Sequence, residues 1–303
     1  MKKPEIEELK KQDIYVQSDT IFSANARVLQ NKWRIKHNYK MGKYPPMKKN
    51  YGNVLDNSFA KKTKNNFLTD EIKILVEQEI EKSKSSGALI DQNRMYCNLL
   101  SSQPLCFNIF GELKLNLNLA TLLFKKIFPN IVDKIINIEF EYSPGRKKDK
   151  YLNDGTAFDV FVEYLKDNKK GFLGIEVKYA ESLREETLRK ADKNYKNIYK
   201  EITENCNMFE DNSVDNLRKP PFAQIWRDHL LSIVLKNEYT MGYFVFLYPS
   251  ENTECKNGIY EYKKYLKKDH NLIELYLEDI INELKLIIHD DWVKELSLRY
   301  LGK

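Results

Sequence analysis

Cysteine and histidine are scarce in this chain of 303 residues, with four of each. Cys97, Cys106, Cys206 and Cys255 form no CxxC pair, and the histidines lie far from them and from one another, which argues against a zinc site. Free thiols in a reducing cytoplasm are the expectation for such usage. GxSxG is missing, and no Cys/His pair has a recognisable catalytic spacing, so nucleophilic Ser or Cys catalysis lacks its motif. With neither GxxxxGK[ST] nor GxGxxG, an ATP-driven or nicotinamide-dependent function would need a wholly different site. No apolar run approaches the ~18 residues of a membrane span, and the charged opening Met1–Lys11 lacks the apolar core of a signal peptide, so no membrane association is expected. There is no internal repeat, and low complexity is confined to Lys-rich patches.

What the chain does have is basic charge, unevenly spread. Lys and Arg outnumber Asp and Glu by 50 to 44, and residues 1–66 hold 15 basic against 6 acidic side chains. An anionic partner is expected there, double-stranded DNA before a membrane surface. Trp33, Arg34, Lys36, Lys40, Tyr44 and Lys48 mix bases with aromatics in a way that suits phosphate contacts and base stacking, with Arg34, Lys36 and Lys40 as the DNA-binding candidates. The division expected from this is a basic, mostly helical region over residues 1–92, followed by a core with C-terminal helices over 93–303.

The chain is organised around Thr156–Glu181, TAFDVFVEYLKDNKKGFLGIEVKYAE, which reads as a β-hairpin with a polar turn. Phe158, Val160, Val162 and Tyr164 share one face with Leu173, Ile175, Val177 and Tyr179, and that face is the expected core. Asp159, Glu176 and Lys178 take the other face. A turn centred on Asn168 and Lys169 sets Asp159 opposite Lys178 and makes the two carboxylates diagonal neighbours. Close carboxylates repel unless a cation sits between them, and Mg²⁺ is usually held by one or two carboxylates plus waters and a substrate phosphate. Lys178 then stands where it can assist an attacking water, which suggests phosphodiester hydrolysis. The same pattern also describes a solvated strand face carrying ordinary surface charges.

The sequence on either side of the hairpin predicts further helices and strands. A short helix spans Pro4–Gln12, a second spans Arg27–Lys36 with Val28, Trp33 and Ile35 inward, and Met41–Asn53 is a loop. A packing helix within Asn66–Ile90 starts at a Thr69 cap, Ser101–Phe110 is a Pro-interrupted segment, and Asn118 caps the helix before the sheet. Val132–Tyr142 is a strand with Ile136, Ile138 and Phe140 on one face and Glu139 and Glu141 on the other. Ser143–Lys150 is a basic turn, Leu183–Asn205 a long charged helical stretch, and Met208–Pro221 a loop. An amphipathic helix carrying Phe222, Ile225, Trp226, His229, Leu230 and Ile233 precedes a buried strand, Gly242–Leu247. His229 reads as a packed histidine. Two or three helices close the chain from Ile259 to Leu301.

The pattern D-(x16)-E-V-K on two antiparallel strands resembles the PD-(D/E)XK nuclease superfamily. SSQPLCFNIFGEL, FEYSPGR, AFDVFVEY, GFLGIEVKYAES and QIWRDHLL resemble blocks of a bacterial restriction-endonuclease family within it, and WRIKH a weaker N-terminal one. No Pro precedes Asp159, where the superfamily's name places one. The resemblance implies an α/β (α+β) fold with an αβββαβ core, a central mixed sheet flanked by helices, and N- and C-terminal helical extensions. It implies a Mg²⁺-dependent endonuclease, Mn²⁺ substituting, with Asp159, Glu176 and the Val177 backbone carbonyl as metal ligands and Lys178 as catalytic. Glu141 and Gln224 are further catalytic candidates, Glu112 a weaker one, and Arg146, Lys147 and Arg227 candidates for DNA contact. A homodimer and a DNA methyltransferase encoded nearby are the expected partners. Two other readings stay open: a repair or recombination nuclease with the same site, and a DNA-binding protein without activity.

Overall fold

Asp167 and Asn168 close the central hairpin with φ values of 51° and 59°, the left-handed pair that a two-residue turn needs to match the twist of its strands. Short Asp and Asn side chains tolerate that region, so the turn lies one position before the expected Asn168–Lys169 centre. Lys166 consequently pairs with Lys169, and Val160 with Ile175. Each partner moves by two positions from the expected register, and an even shift keeps the alternation of faces intact. Continued one step, this ladder sets Asp159 opposite Glu176, so the expected diagonal pair is a direct one.

The computed structural model describes residues 1–43, 49–87, 90–184 and 186–303. The N-terminal part runs α1 (Ile6–Lys11), α2 (Ile21–Lys36), β1 (Met41–Lys43), β2 (Asn50–Leu55), α3 (Asn57–Thr63), α4 (Asp70–Ser86) and α5 (Gln92–Cys97). Next come α6 (Ser102–Leu115), α7 (Leu117–Ile127), β3 (Lys134–Tyr142), β4 (Phe158–Lys166) and β5 (Lys169–Val177). Three short helices, α8 (Leu188–Asn194), α9 (Asn197–Asn205) and α10 (Val214–Leu217), lead to α11 (Ala223–Leu235) and β6 (Met241–Tyr248). The chain closes with α12 (Thr253–Lys263), β7 (Leu272–Tyr276), α13 (Leu277–Ile287) and α14 (Asp291–Tyr300). Strand order is β3-β4-β5-β6-β7, antiparallel from β3 to β5 and parallel from β5 to β7. This is the expected αβββαβ plan in a mixed sheet, extended by one strand.

Several local expectations change, each for a physical reason. The second helix starts at Ile21 because the Thr20 hydroxyl accepts the Ser23 amide at 3.1 Å and caps it. Trp33 is buried as expected, but Val28 is only partly buried and Ile35 is 53% exposed. The expected loop after it contains the β1–β2 hairpin, while Tyr44 and Lys48 lie outside the described residues. Ser101–Phe110 is mostly helical: Pro104 sits in the first turn of α6, where its missing N–H costs no hydrogen bond. Asn116, not Asn118, caps α7. The stretch from Leu183 to Asn205 is broken into α8 and α9 by extended backbone at Tyr195 and Lys196. Leu272 and Leu275, read as helical, belong to β7, whose run LIELY is too short to separate period 2 from period 3.6. The Thr69 cap of α4 holds, and Ile72, Leu75, Val76, Glu79 and Ile80 are all buried.

Both faces of the sheet are core. Val160, Val162, Ile175 and Val177 pack in one cluster that draws on α6, α7, α13 and α14. Phe161, Phe172, Phe244 and Phe246 pack in a second, with residues of α9, α11 and α12. Phe158 joins this second cluster, contrary to strict alternation, with its ring 6.2 Å from Phe161 and 6.4 Å from Phe172. Gly174 makes room for it, since a Cβ there would meet the Phe158 ring at 2.5 Å. Arg299 of α14, wholly buried, donates to Asn66 O at 2.6 Å and to Gln30 Oε1 at 3.3 Å, and lies 4.3 Å from the Trp33 ring. Carbonyl dipoles and ring faces thus solvate that cation and tie α14 to α2.

His229 is packed as expected, with no exposed surface, between Tyr262 Oη at 3.0 Å and Asn271 Oδ1 at 2.7 Å. Burial holds its pKa down at about 4. A depressed histidine contributes stability that is complete above the unfolded value near 6.5 and is lost as pH falls toward the folded one. Urea unfolding at pH 5 is therefore expected to show roughly 2 kcal/mol less stability than at pH 7.5 from this group, at about 1.4 kcal/mol per unit. His229→Gln flattens that difference; an unchanged pH dependence would assign it to other groups.

Candidate active site

Glu176 and Lys178 stand at the C-terminal end of β5 and are 3% and 8% exposed. The Lys178 ammonium donates to Glu176 Oε1 at 2.7 Å and to Gln224 Oε1 at 3.0 Å, and the Gln224 amide donates to Glu176 Oε1 at 2.7 Å. These three side chains close a ring. Gln224 is held there by the first turn of α11, which is anchored by buried Ile225, Trp226 and Leu230. Asp159 of β4 accepts the Val177 amide at 2.8 Å, so beyond the last paired residues a side chain joins β4 to β5.

Glu141 lies between Phe140 and Tyr142, which pair with Val160 and Phe158, so it neighbours Asp159 across the β3–β4 ladder. Its φ of 49° is left-handed, a strained state for a residue other than glycine, of order 1–3 kcal/mol, and such strain collects at functional sites. Its carboxylate accepts the Gln103 amide at 3.1 Å from α6. Arg146 donates to the Glu141 backbone carbonyl at 3.0 Å and to Gly155 O at 2.9 Å, clamping the loop between β3 and β4.

Three adjacent strands thus set three carboxylates side by side, and their pKa values record the crowding. Burial, then the charges of Glu176 and Glu141, push Asp159 well above the usual carboxylate range, against the pull of Lys178 and the Val177 amide. Burial raises Glu141 too, opposed by the Gln103 hydrogen bond and reinforced by Glu176. For Lys178 burial acts downward, but Glu176, Asp159 and Glu181 together outweigh it and keep the ammonium charged. Negative charge is concentrated here beyond what one lysine neutralises, the condition a bound cation relieves.

The donor set fits a hard divalent ion. Asp159 and Glu176 offer carboxylate oxygens, and among the described residues no group of three or more His, Cys, Asp or Glu side chains is placed to hold a metal. A two-carboxylate set matches an ion that keeps most of its waters, as Mg²⁺ does, better than a fully protein-caged one. Val177 ends β5 beside this pair.

The basic candidates divide into structural and open ones. Arg34 is spent on structure: its guanidinium donates to Gly52 O at 2.7 Å, Tyr39 O at 2.8 Å and Asn31 Oδ1 at 3.0 Å. Arg227 is ion-paired with Glu186 at 2.9 Å, linking α11 to the segment before α8. Lys36 and Lys40 are exposed, with Glu295 at 3.5 Å and Asp56 at 3.8 Å. Lys147 is exposed on the loop after β3. Glu112 accepts the Thr69 hydroxyl at the start of α4, and burial raises its pKa.

Two residues of the site escaped the sequence reading. Glu181 accepts the Ser102 amide at 2.6 Å, the Tyr179 amide at 3.1 Å and Arg94 at 3.1 Å, so it fixes the chain just past Lys178 onto the start of α6. Gln103 braces Glu141. Both fall inside motif-like blocks, SSQPLCFNIFGEL and GFLGIEVKYAES, and that was the signal available.

The four cysteines are free, and among the described residues no helix is long and apolar enough to cross a membrane. No curated protein and no solved structure matches the chain. The family model described as PD-(D/E)XK nuclease superfamily matches residues 17–302, nearly the whole length, and so takes in every strand and helix that builds this site. Members of that superfamily are generally nuclease hydrolases that use divalent metals, and the mixed five-stranded sheet flanked by helices is consistent with a restriction-endonuclease-like fold. On that match this chain belongs to the PD-(D/E)XK nuclease superfamily.

Proposed function

We propose that the protein is a Mg²⁺-dependent endonuclease that hydrolyses DNA phosphodiester bonds, of the restriction type. The observation that carries the reading is the closed ring of Glu176, Lys178 and Gln224 beside Asp159, a partly buried acid held above its usual range. Asp159 and Glu176 would hold the ion, with the Val177 carbonyl as the further ligand. Bound Mg²⁺, with Mn²⁺ as a substitute, supplies Lewis-acid polarisation of the scissile phosphate and a more acidic water. Lys178 presents its ammonium to the attacking oxygen and to the negative charge that grows on the phosphate. Gln224 fixes that ammonium relative to Glu176, and Glu141 adds negative charge on the side of Asp159. The restriction role, a homodimer that cuts both strands and a methyltransferase encoded nearby rest on the motif blocks.

Incubation of supercoiled plasmid with the purified protein tests this. Cleavage that requires Mg²⁺ or Mn²⁺ and stops with chelator is the expected result, and intact plasmid across a metal titration would remove the nuclease reading. Discrete fragments support the restriction type, whereas degradation from ends would assign the site to repair or recombination.

The DNA-contact proposal reduces to exposed lysines, because Arg34 is committed to the fold. Replacing Lys36 and Lys40 together by Ala is expected to weaken duplex binding and flatten its salt dependence by about one unit of slope per lost phosphate contact. Binding measured by anisotropy from low to moderate salt checks this, and an unchanged slope would make the basic excess of residues 1–66 incidental.

A further inference from the structure

Asp228 is the sole acidic residue of α11, and it is 4% exposed. Its Oδ2 is buried and meets no hydrogen-bond donor. One turn earlier on the same face of that helix stands Gln224, whose amide bridges Glu176 and Lys178. Glu176, Lys178 and Asp159 lie near enough to act electrostatically on Asp228, as does its chain neighbour Arg227, and burial is the larger influence on its carboxyl. A buried carboxyl oxygen without a partner destabilises a fold. Local costs of this kind persist where function requires them.

We propose that Asp228 is a positioning residue of the nuclease site, acting through Lys178; this rests on the nuclease reading above. In the ring, Lys178 is held by Glu176 Oε1 and Gln224 Oε1. Were Glu176 to commit its oxygens to a cation, the ammonium would lose its charged acceptor and keep only the neutral amide. Asp228 would then offer an acceptor oxygen from the α11 side, directly or through one buried water, and keep the ammonium aimed at the substrate. The unused Oδ2 is the acceptor held in reserve for that state.

The test compares the parental protein with Asp228→Asn and Asp228→Leu. Turnover should fall about 10- to 100-fold, the range for a group that orients a ligand or catalytic residue, and Leu should lose more than Asn because the amide oxygen still accepts. KM for the duplex and calorimetric Mg²⁺ affinity should stay within about twofold. Thermal stability should rise, by roughly 2–4 °C in Tm, since an orphaned buried carboxyl has gone. A merely structural aspartate predicts the opposite, with Tm and activity falling together, and that result overturns the proposal. Parental turnover in both variants also overturns it while leaving the nuclease reading standing; an inactive parental protein removes both.

Discussion

A Lys178→Ala protein is expected to bind divalent metal and duplex DNA at near-parental affinity yet to cleave about 10²–10⁴-fold more slowly, the range for a lost acid–base or electrostatic helper. The separation follows from the site's geometry. Lys178 touches Glu176 and Gln224, so its removal leaves both carboxylates in place and costs the Gln224 oxygen its donor. Losing Lys178 takes one positive charge from the site, which favours a metal, but also removes a charge that stabilises the Asp159 carboxylate, and the two effects oppose each other. Calorimetric Mg²⁺ binding beside single-turnover cleavage of a defined duplex makes the measurement. Cleavage at the parental rate would sink Lys178 as the water-assisting group, and loss of metal binding would make it a structural counter-ion.

Asp159→Ala is expected to abolish cleavage by taking away one of two carboxylate ligands. Its second consequence is less obvious. Asp159 is pushed above its usual range by burial and by Glu176 and Glu141, so the metal-free site stores repulsion that this substitution releases. DNA binding in chelator should therefore survive or tighten, because one acidic group of a crowded cluster facing phosphate has gone. The substitution also removes the acceptor of the Val177 amide, so the end of β5 loosens unless water replaces it. Metal titration, anisotropy with chelator and plasmid cleavage on one preparation distinguish these effects. Retained metal binding together with retained activity would place the chemistry elsewhere on the molecule.

The role of the N-terminal basic stretch changes once contacts are visible. Trp33, Arg34, Lys36 and Lys40 are close in sequence, but the turn of α2 and the chain after it send them to different environments. Trp33 packs against Arg299 and Arg34 clamps the hairpin β1–β2, whereas Lys36 and Lys40 reach solvent. Composition registers charge without registering where the donors of each side chain are used.

Residues close in sequence or bound by a strict period were legible without coordinates. The alternation in β4 and β5, the Thr69 cap and apolar stripe of α4, the αβββαβ order and the Asp159, Glu176 and Lys178 constellation depend on periods and capping chemistry that a single chain displays. Even the register error spared the site, because a shift of two leaves the parity of each residue unchanged. What only the tertiary structure decided is where strands end and which distant groups meet there. The left-handed φ of Asp167 and Asn168 set Asp159 directly against Glu176, and Gly174 admitted Phe158 to the opposite cluster. β7 separated from α13 because the edge of β6 was there to pair with it. Gln224 comes to Glu176 and Lys178, Gln103 to Glu141, and Ser102 to Glu181 across tens of residues of chain, and such meetings are fixed by packing, which carries no period along the chain.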